Sequence, residues 1–115
     1  MELHYKNKQT EKICTDEKKA IKSFGKEVAN KLLAVISLLE CSLNLKDVLA
    51  FKQYNLHPLK GNLKGFHSIY LGKTTGYRLL LMPLDENKQP IKNTDTNIYA
   101  SAVCVKIEGV TKHYE

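Results

Sequence analysis

The stretch Asp16-Glu17-Lys18-Lys19-Ala20-Ile21-Lys22-Ser23-Phe24-Gly25-Lys26-Glu27-Val28-Ala29-Asn30-Lys31-Leu32-Leu33-Ala34-Val35-Ile36-Ser37-Leu38-Leu39 places Ile21, Phe24, Val28, Leu32, Val35 and Leu39 three or four positions apart. A helix turns once in 3.6 residues, so this spacing lines one helical face with apolar side chains. Thr15 or Asp16 is placed to cap the N-terminus by accepting from an otherwise unpaired backbone N–H, and Glu17 suits the positive end of the helix dipole. Glycine costs roughly 1 kcal/mol relative to alanine inside a helix. Gly25 therefore predicts a bend or break near Ser23-Phe24-Gly25, giving two helices with one continuous apolar stripe.

Working outward, Asn44 can cap a short helix from Leu45 to Phe51, with Asp47 placed to return a bond in the manner of a capping box. On the N-terminal side, Leu3 and Tyr5 alternate with Glu2, His4 and Lys6, which reads as a short strand. On the C-terminal side three strand-like runs follow, Gly65 to Leu71, Tyr77 to Leu84 and Ile98 to Val110, with Gly72-Lys73-Thr74-Thr75-Gly76 as the turn between the first two. These predict an antiparallel meander, with Val103, Val105 and Ile107 alternating as sheet core. Asp85 to Asn97 is polar almost throughout and reads as a long exposed hairpin loop. One strand, then helices, then three strands is an α+β order, in which the helices must bury their stripe on one face of a small antiparallel sheet. The 115 residues fit one domain spanning 1–115.

With 43% hydrophobic and 26% charged residues, the chain is too apolar for a disordered segment. Its net charge is +6, with Arg78 the only arginine. That excess allows polyanionic partners and is equally compatible with a lysine-rich solvated surface, because net charge speaks to association and not to fold. Cys14, Cys41 and Cys104 are an odd, widely spaced set that fits neither a disulfide framework nor a zinc site, so they are expected as reduced core thiols with no metal. No apolar signal core follows the N-terminus and no run of 18 apolar residues occurs, so a cytoplasmic location without a membrane is expected.

P-loop, GxGxxG, GxSxG and HExxH motifs are missing, which removes support for nucleotide hydrolysis, dehydrogenase chemistry and zinc proteolysis. What remains is a set of cations and proton donors: His57, Lys60, Lys64, His67, Tyr70, Tyr77, Arg78, His113 and Tyr114. His57 and Lys60 lie in a segment that Pro58 and Gly61 keep from being ordinary helix. RNA cleavage by attack of a 2′-hydroxyl needs a base, an acid and cations for the phosphorane charge, and these side chains can fill all three roles without a metal or cofactor. Side-chain chemistry alone leaves His57 open to a structural role, the commoner fate of a lone histidine, and leaves Arg78 divided between a carboxylate and a phosphate. His67 and Tyr70 read as residues with local roles.

The run Leu56-His57-Pro58-Leu59-Lys60-Gly61, then Gly65-Phe66-His67-Ser68-Ile69, then Gly76-Tyr77-Arg78-Leu79 resembles the HigB branch of the RelE/ParE toxin superfamily over roughly half the chain. The resemblance implies a small sheet packed by helices and a ribosome-dependent endoribonuclease, a metal-independent mRNA interferase. Its partners would be mRNA and the ribosomal RNA of the 30S A site. It also implies a cognate helix-turn-helix antitoxin, HigA-like, through which alone operator DNA would be engaged. His57 and Lys60 inherit catalytic positions, Arg78 inherits the phosphate-contacting strand arginine, and His113 and Tyr114 stand where a terminal acid-base cluster is expected. Lys60, Lys64, Arg78 and Lys112 would face nucleic acid. The chain departs from the pattern at Lys112, where an acid is usual, at His113-Tyr114 in place of Tyr-His, at Asn62-Leu63, and at His67, a position often held by tryptophan. Two other readings stay open: a ParE-like toxin acting on a protein such as gyrase, and a weakened RNA-binding regulatory module.

Overall fold

The computed structural model describes residues 1–91 and 98–112. The apolar stripe folds as expected, into α2 (Glu17–Phe24) and α3 (Lys26–Cys41). Of the two candidate caps, Asp16 is the one used: its carboxylate accepts from the backbone N–H of Lys18 and Lys19 at 3.0 and 3.3 Å. Thr15 instead donates its hydroxyl to the Glu11 carbonyl. Gly25 breaks the helix at φ 87°, a left-handed value that any Cβ would strain, and its N–H closes α2 on the Ile21 carbonyl at 2.8 Å.

Ahead of the stripe lies a helix that its periodicity does not announce, α1 (Lys8–Thr15), capped by Asn7 accepting from Thr10 N–H at 2.8 Å. Only Cys14 of α1 is buried, so the segment offers too few apolar positions to show a period. Beyond α3, α4 runs Leu45–Leu49, stopping before Phe51, and Asn44 caps it. Asp47 reaches back to Leu43 N–H at 2.8 Å, one residue earlier than a capping box would place it.

Five strands form one sheet in the order β1-β5-β4-β3-β2: β1 (Glu2–Tyr5), β2 (His57–Pro58), β3 (His67–Tyr70), β4 (Tyr77–Leu84) and β5 (Cys104–Lys112). The meander β3-β4-β5 is antiparallel, β2 extends it antiparallel at one edge, and β1 joins β5 in parallel at the other. α2 and α3 cover one face. Leu32, Val35 and Leu39 of α3 pack with Ile69, Leu79, Leu81, Val105 and Ile107 of the sheet, all fully buried. Val28 is buried with them, and Ile21 and Phe24 are half-buried against the same cluster. A register shift between Leu80 and Leu81 leaves Glu108 as the extra residue of β5, because Leu80 faces Gly109 while Leu81 faces Ile107. The bulge lets Ile107 and Val110, three apart, both reach the helix side, and turns Thr111 onto the opposite face across from Arg78.

Three expectations are corrected. Ile98 to Ser101 is a helical turn, α5, and the last strand begins at Cys104. Tyr99 of α5 is held against His67, and the Ala102 carbonyl accepts from Leu45 N–H at 3.2 Å, so tertiary anchoring overrides the strand propensity of this run. Val103, expected in the core, precedes the strand and is exposed. Cys41 is exposed at the solvent side of the last turn of α3, whereas Cys14 and Cys104 are buried. The loop expected from Asp85 begins as a tight turn, with Asp85 accepting from Asn87 and Gln89 N–H and Leu84 bridging Pro90. Its remainder, 92–97, lies outside the described residues.

Leu32 sits at the centre of the helix–sheet contact and Leu43 is 81% exposed. Leu32→Ala should therefore cost about 2–5 kcal/mol, and Leu43→Ala no more than about 0.5 kcal/mol. Urea unfolding followed by circular dichroism reads both, and equal losses would refute the assigned core.

Candidate active site

Side chains alternate across a sheet, so the residues between those facing the helices project to the helix-free face. Cross-strand register makes His57 and Ser68 neighbours there, and Tyr70 and Arg78 neighbours one step on. Tyr70 is the centre of the group. The Arg78 guanidinium lies over its ring, Cζ 3.8 Å from the centroid, in the geometry of a cation–π contact. The His57 ring meets Tyr70 edge-on, at 6.2 Å and 89°. Arg78 also donates from Nη1 to the Tyr77 carbonyl at 3.0 Å, which fixes the plane of its fork.

His57 is held by the backbone just before it. The 3₁₀ turn Lys52–Tyr54 ends at Asn55, a left-handed residue at φ 45°, whose carbonyl lies 2.6 Å from His57 Nδ1. A carbonyl only accepts, so Nδ1 carries the hydrogen, and in the neutral ring Nε2 is the acceptor nitrogen. The sequence resemblance selected His57 and Arg78, and the fold brings both to one ring. Side-chain chemistry read Tyr70 only as a residue with a local role. The signal was present in the hairpin: a turn from Gly72 to Gly76 closed by Leu71 N–H on the Tyr77 carbonyl pairs Tyr70 with Arg78 by counting outward.

Lys60 and Lys64 flank the 3₁₀ turn Gly61–Leu63 and are exposed, beyond the end of β2. Lys112 goes elsewhere. It pairs with Tyr77 and places Nζ 5.2 Å from that ring, on the helix side of the sheet, because the alternation that puts Arg78 and Thr111 on one face puts Tyr77 and Lys112 on the other. His113 and Tyr114 lie outside the described residues. Beside Tyr70 a groove of about 800 Å³ runs toward α3, lined among others by Lys31, Lys52, Tyr54, Asn55 and Lys73. Lys31, Lys52 and Lys73 drew no notice in the sequence because they are dispersed among solvated lysines. Lys31 approaches so closely that a Cβ on Gly72 (φ 92°) would meet its Cδ at 2.7 Å.

His67, adjacent in sequence to Ser68, faces the other way. It is 1% exposed and shares a 2.8 Å hydrogen bond between Nδ1 and the Tyr99 hydroxyl. Burial, then the nearby His57, pushes its pKa down to about 4. It is neutral at physiological pH and acts as a structural link from β3 to α5.

No protein-family model matches the chain, and no curated protein matches it in sequence. Solved structures do match in shape. A YoeB/ParE toxin from Agrobacterium tumefaciens aligns over 99% of this chain and 100% of its own, with TM-score 0.56 at 13% identity. YafQ from E. coli strain BL21(DE3) aligns over 97% and 92%, with TM-score 0.54 at 17% identity. A structure of a YoeB-YefM complex from Staphylococcus aureus supplies a chain aligning over 99% and 98%, with TM-score 0.53 at 18% identity. The fold is the RelE/YoeB toxin fold. At these identities the likeness speaks to architecture alone.

The depressed His67 pKa has a consequence for stability. The unfolded chain takes up a proton at this histidine near pH 6.5, the folded protein only near pH 4, so stability is full above pH 6.5 and falls as pH drops toward 4. The loss attributable to His67 should reach roughly 3 kcal/mol. His67→Gln should flatten the pH dependence of the unfolding free energy across that window, and an unchanged curve would contradict a buried neutral imidazole.

Proposed function

We propose that this protein is the toxin of a toxin–antitoxin pair, a HigB-like, metal-independent endoribonuclease that cleaves translated mRNA in the ribosomal A site. The observation that carries the proposal is the Tyr70-centred group: an imidazole with its tautomer set by Asn55 and the only arginine of the chain, gathered on the helix-free face of a toxin fold. Cleavage by transesterification requires the ribose 2′-hydroxyl to lose its proton as its oxygen attacks phosphorus, and the departing 5′ oxygen to gain one. The products are a 2′,3′-cyclic phosphate and a 5′-hydroxyl. His57 moves one of these protons through Nε2, and His113 or Tyr114 is its counterpart. Arg78, carried on Tyr70, and Lys60 stabilise the phosphorane charge. Tyr70 is a positioning residue, holding the guanidinium where the phosphate arrives.

The cationic groove of Lys31, Lys52 and Lys73 offers a path for an RNA backbone away from the scissile bond, with Lys64 on the other flank. Lys112, on the opposite side of the sheet, is left out of this path. The protein would act in the cytoplasm as a single domain, restrained by a helix-turn-helix antitoxin of HigA type that alone touches operator DNA. Among the described residues no helix is long and apolar enough to cross a membrane.

Single-turnover cleavage on programmed ribosomes tests the reading. Arg78→Ala and Lys60→Ala should slow chemistry roughly 10²–10³-fold while ribosome affinity changes little. His57→Ala should also flatten the pH–rate profile, and Tyr70→Ala should fall on the rate side with Tyr70→Phe recovering most of it. His4→Ala, at the far edge of the sheet, should cut normally. Ribosome binding should weaken with salt, and the Lys52→Ala/Lys73→Ala double variant should lower the log–log salt slope by about 1–2. Wild-type protein that never cuts, yet arrests growth, would transfer the assignment to a protein target such as gyrase.

A further inference from the structure

At the edge of the sheet farthest from His57, three residues from opposite ends of the chain converge. β1 pairs with β5 so that Glu2 faces Cys104, and His4 projects from the same side of β1 as Glu2. The Glu2 carboxylate is 2.9 Å from His4 Nε2 and 3.5 Å from Cys104 Sγ. One oxygen, one nitrogen and one sulfur thus lie within 4.8 Å of one another.

We propose that Glu2, His4 and Cys104 form a binding site for a divalent transition-metal ion of the zinc class. The donor set is the argument. Thiolate, imidazole and carboxylate are the three ligand types zinc accepts, at about 2.0–2.3 Å, and a tetrahedron of that size separates its ligands by roughly 3.3–3.8 Å. Side-chain shifts of about an ångström close the observed triangle to that size. Glu2 and His4 are solvent-accessible, so a water can complete the fourth position, while Cys104 is almost fully buried and anchors the site on a rigid strand. Mixed sulfur, nitrogen and oxygen donors select against magnesium and calcium, which take oxygen.

Charge closes around the ion despite the basic protein. The Glu2 carboxylate and a Cys104 thiolate together carry two negative charges against two positive ones on the metal. Binding displaces the thiol proton to solvent, and the neutral imidazole of His4 adds no charge. Lys88 approaches Glu2 at 3.9 Å but is itself largely exposed and can swing away, and Lys106, across from His4, has an exposed position as well. The Coulomb attraction that now draws Lys88 to Glu2 would be taken over by the metal. Because the ligands come from β1 and β5, the ion would clip the four-residue edge strand to the body of the sheet. His57 stands three to four strand spacings away, roughly 14–19 Å, so the site is structural and independent of cleavage.

Metal-stripped protein titrated with cobalt(II) should bind one equivalent, giving a near-ultraviolet thiolate-to-cobalt band and the intense visible bands of four-coordination, all displaced by zinc. Cys104→Ser should abolish the thiolate band, and His4→Ala, at an accessible position that leaves the core untouched, should weaken binding at least tenfold. Cys41→Ser and His57→Gln should bind as wild type. Zinc should raise the melting temperature of the wild type and, at the same concentration, raise that of His4→Ala less. The proposal is overturned if stoichiometric cobalt gives no thiolate band, if the band survives Cys104→Ser and vanishes with Cys41→Ser, or if His4→Ala binds as tightly as wild type. Repeating the cleavage assay on metal-stripped protein reads the endoribonuclease proposal separately, so failure here leaves it standing, and the reverse holds.

Discussion

The contact on which the rest depends is the burial of the α3 stripe against the central strands. Leu32, Val35 and Leu39 are fully excluded from solvent against Leu79, Leu81, Val105 and Ile107, and at about 25 cal/mol per Å² of apolar surface such contact dominates the folding free energy. Once that face of the sheet is committed to the helices, side-chain period two commits the other face to everything else. A slip of one residue in β4 would carry Arg78 into the core and Leu79 to the surface. The hydrophobic pattern that stabilises the protein is therefore also what aims its arginine.

That constraint accounts for the division of labour among neighbouring residues. His67 and Ser68 are adjacent, yet one faces inward to Tyr99 and the other stands beside His57 across the strands. Tyr77 and Arg78 divide likewise, Tyr77 packing on Phe24 at 5.5 Å and Arg78 on Tyr70. The bulge at Glu108 repairs the alternation on β5 after Ile107, and Glu108 is tied at 3.1 Å to Lys6 just beyond β1. Two histidines thus come to differ in kind. His67 is kept neutral by burial, and His57 is oriented by a carbonyl at the surface where it can meet a substrate.

The two edges of the sheet have separate characters for the same reason. The β2 edge begins at a left-handed Asn55 and carries the imidazole, with the cationic groove beside it. The β1 edge gathers an acid, a histidine and a thiol through a parallel pairing across nearly the whole length of the chain. On the helix-free side both edges carry polar side chains, and between them Ser68, Leu80 and Leu84 are buried.

How much could be read without coordinates follows from which interactions are local. The sequence determined the α2–α3 stripe, its break at Gly25, a cap at Thr15 or Asp16, the Asn44 cap and the β3-β4-β5 meander, since periodicity, capping and turn chemistry act over a few residues. Motif resemblance drew attention to His57 and Arg78. It could not reveal that Tyr70 lies under the guanidinium, that Lys112 departs to the opposite face, or that Ile98 to Ser101 coils to deliver Tyr99 to His67. Those depend on register and on contacts between residues far apart in the chain. The cysteines make the same point: a spacing rule sees three isolated thiols, while the parallel pairing of β1 with β5 sets Cys104 beside Glu2 and His4. Tertiary structure decided this because strand pairing converts a separation of about a hundred residues into a distance of a few ångströms, and no local pattern encodes which strands will meet.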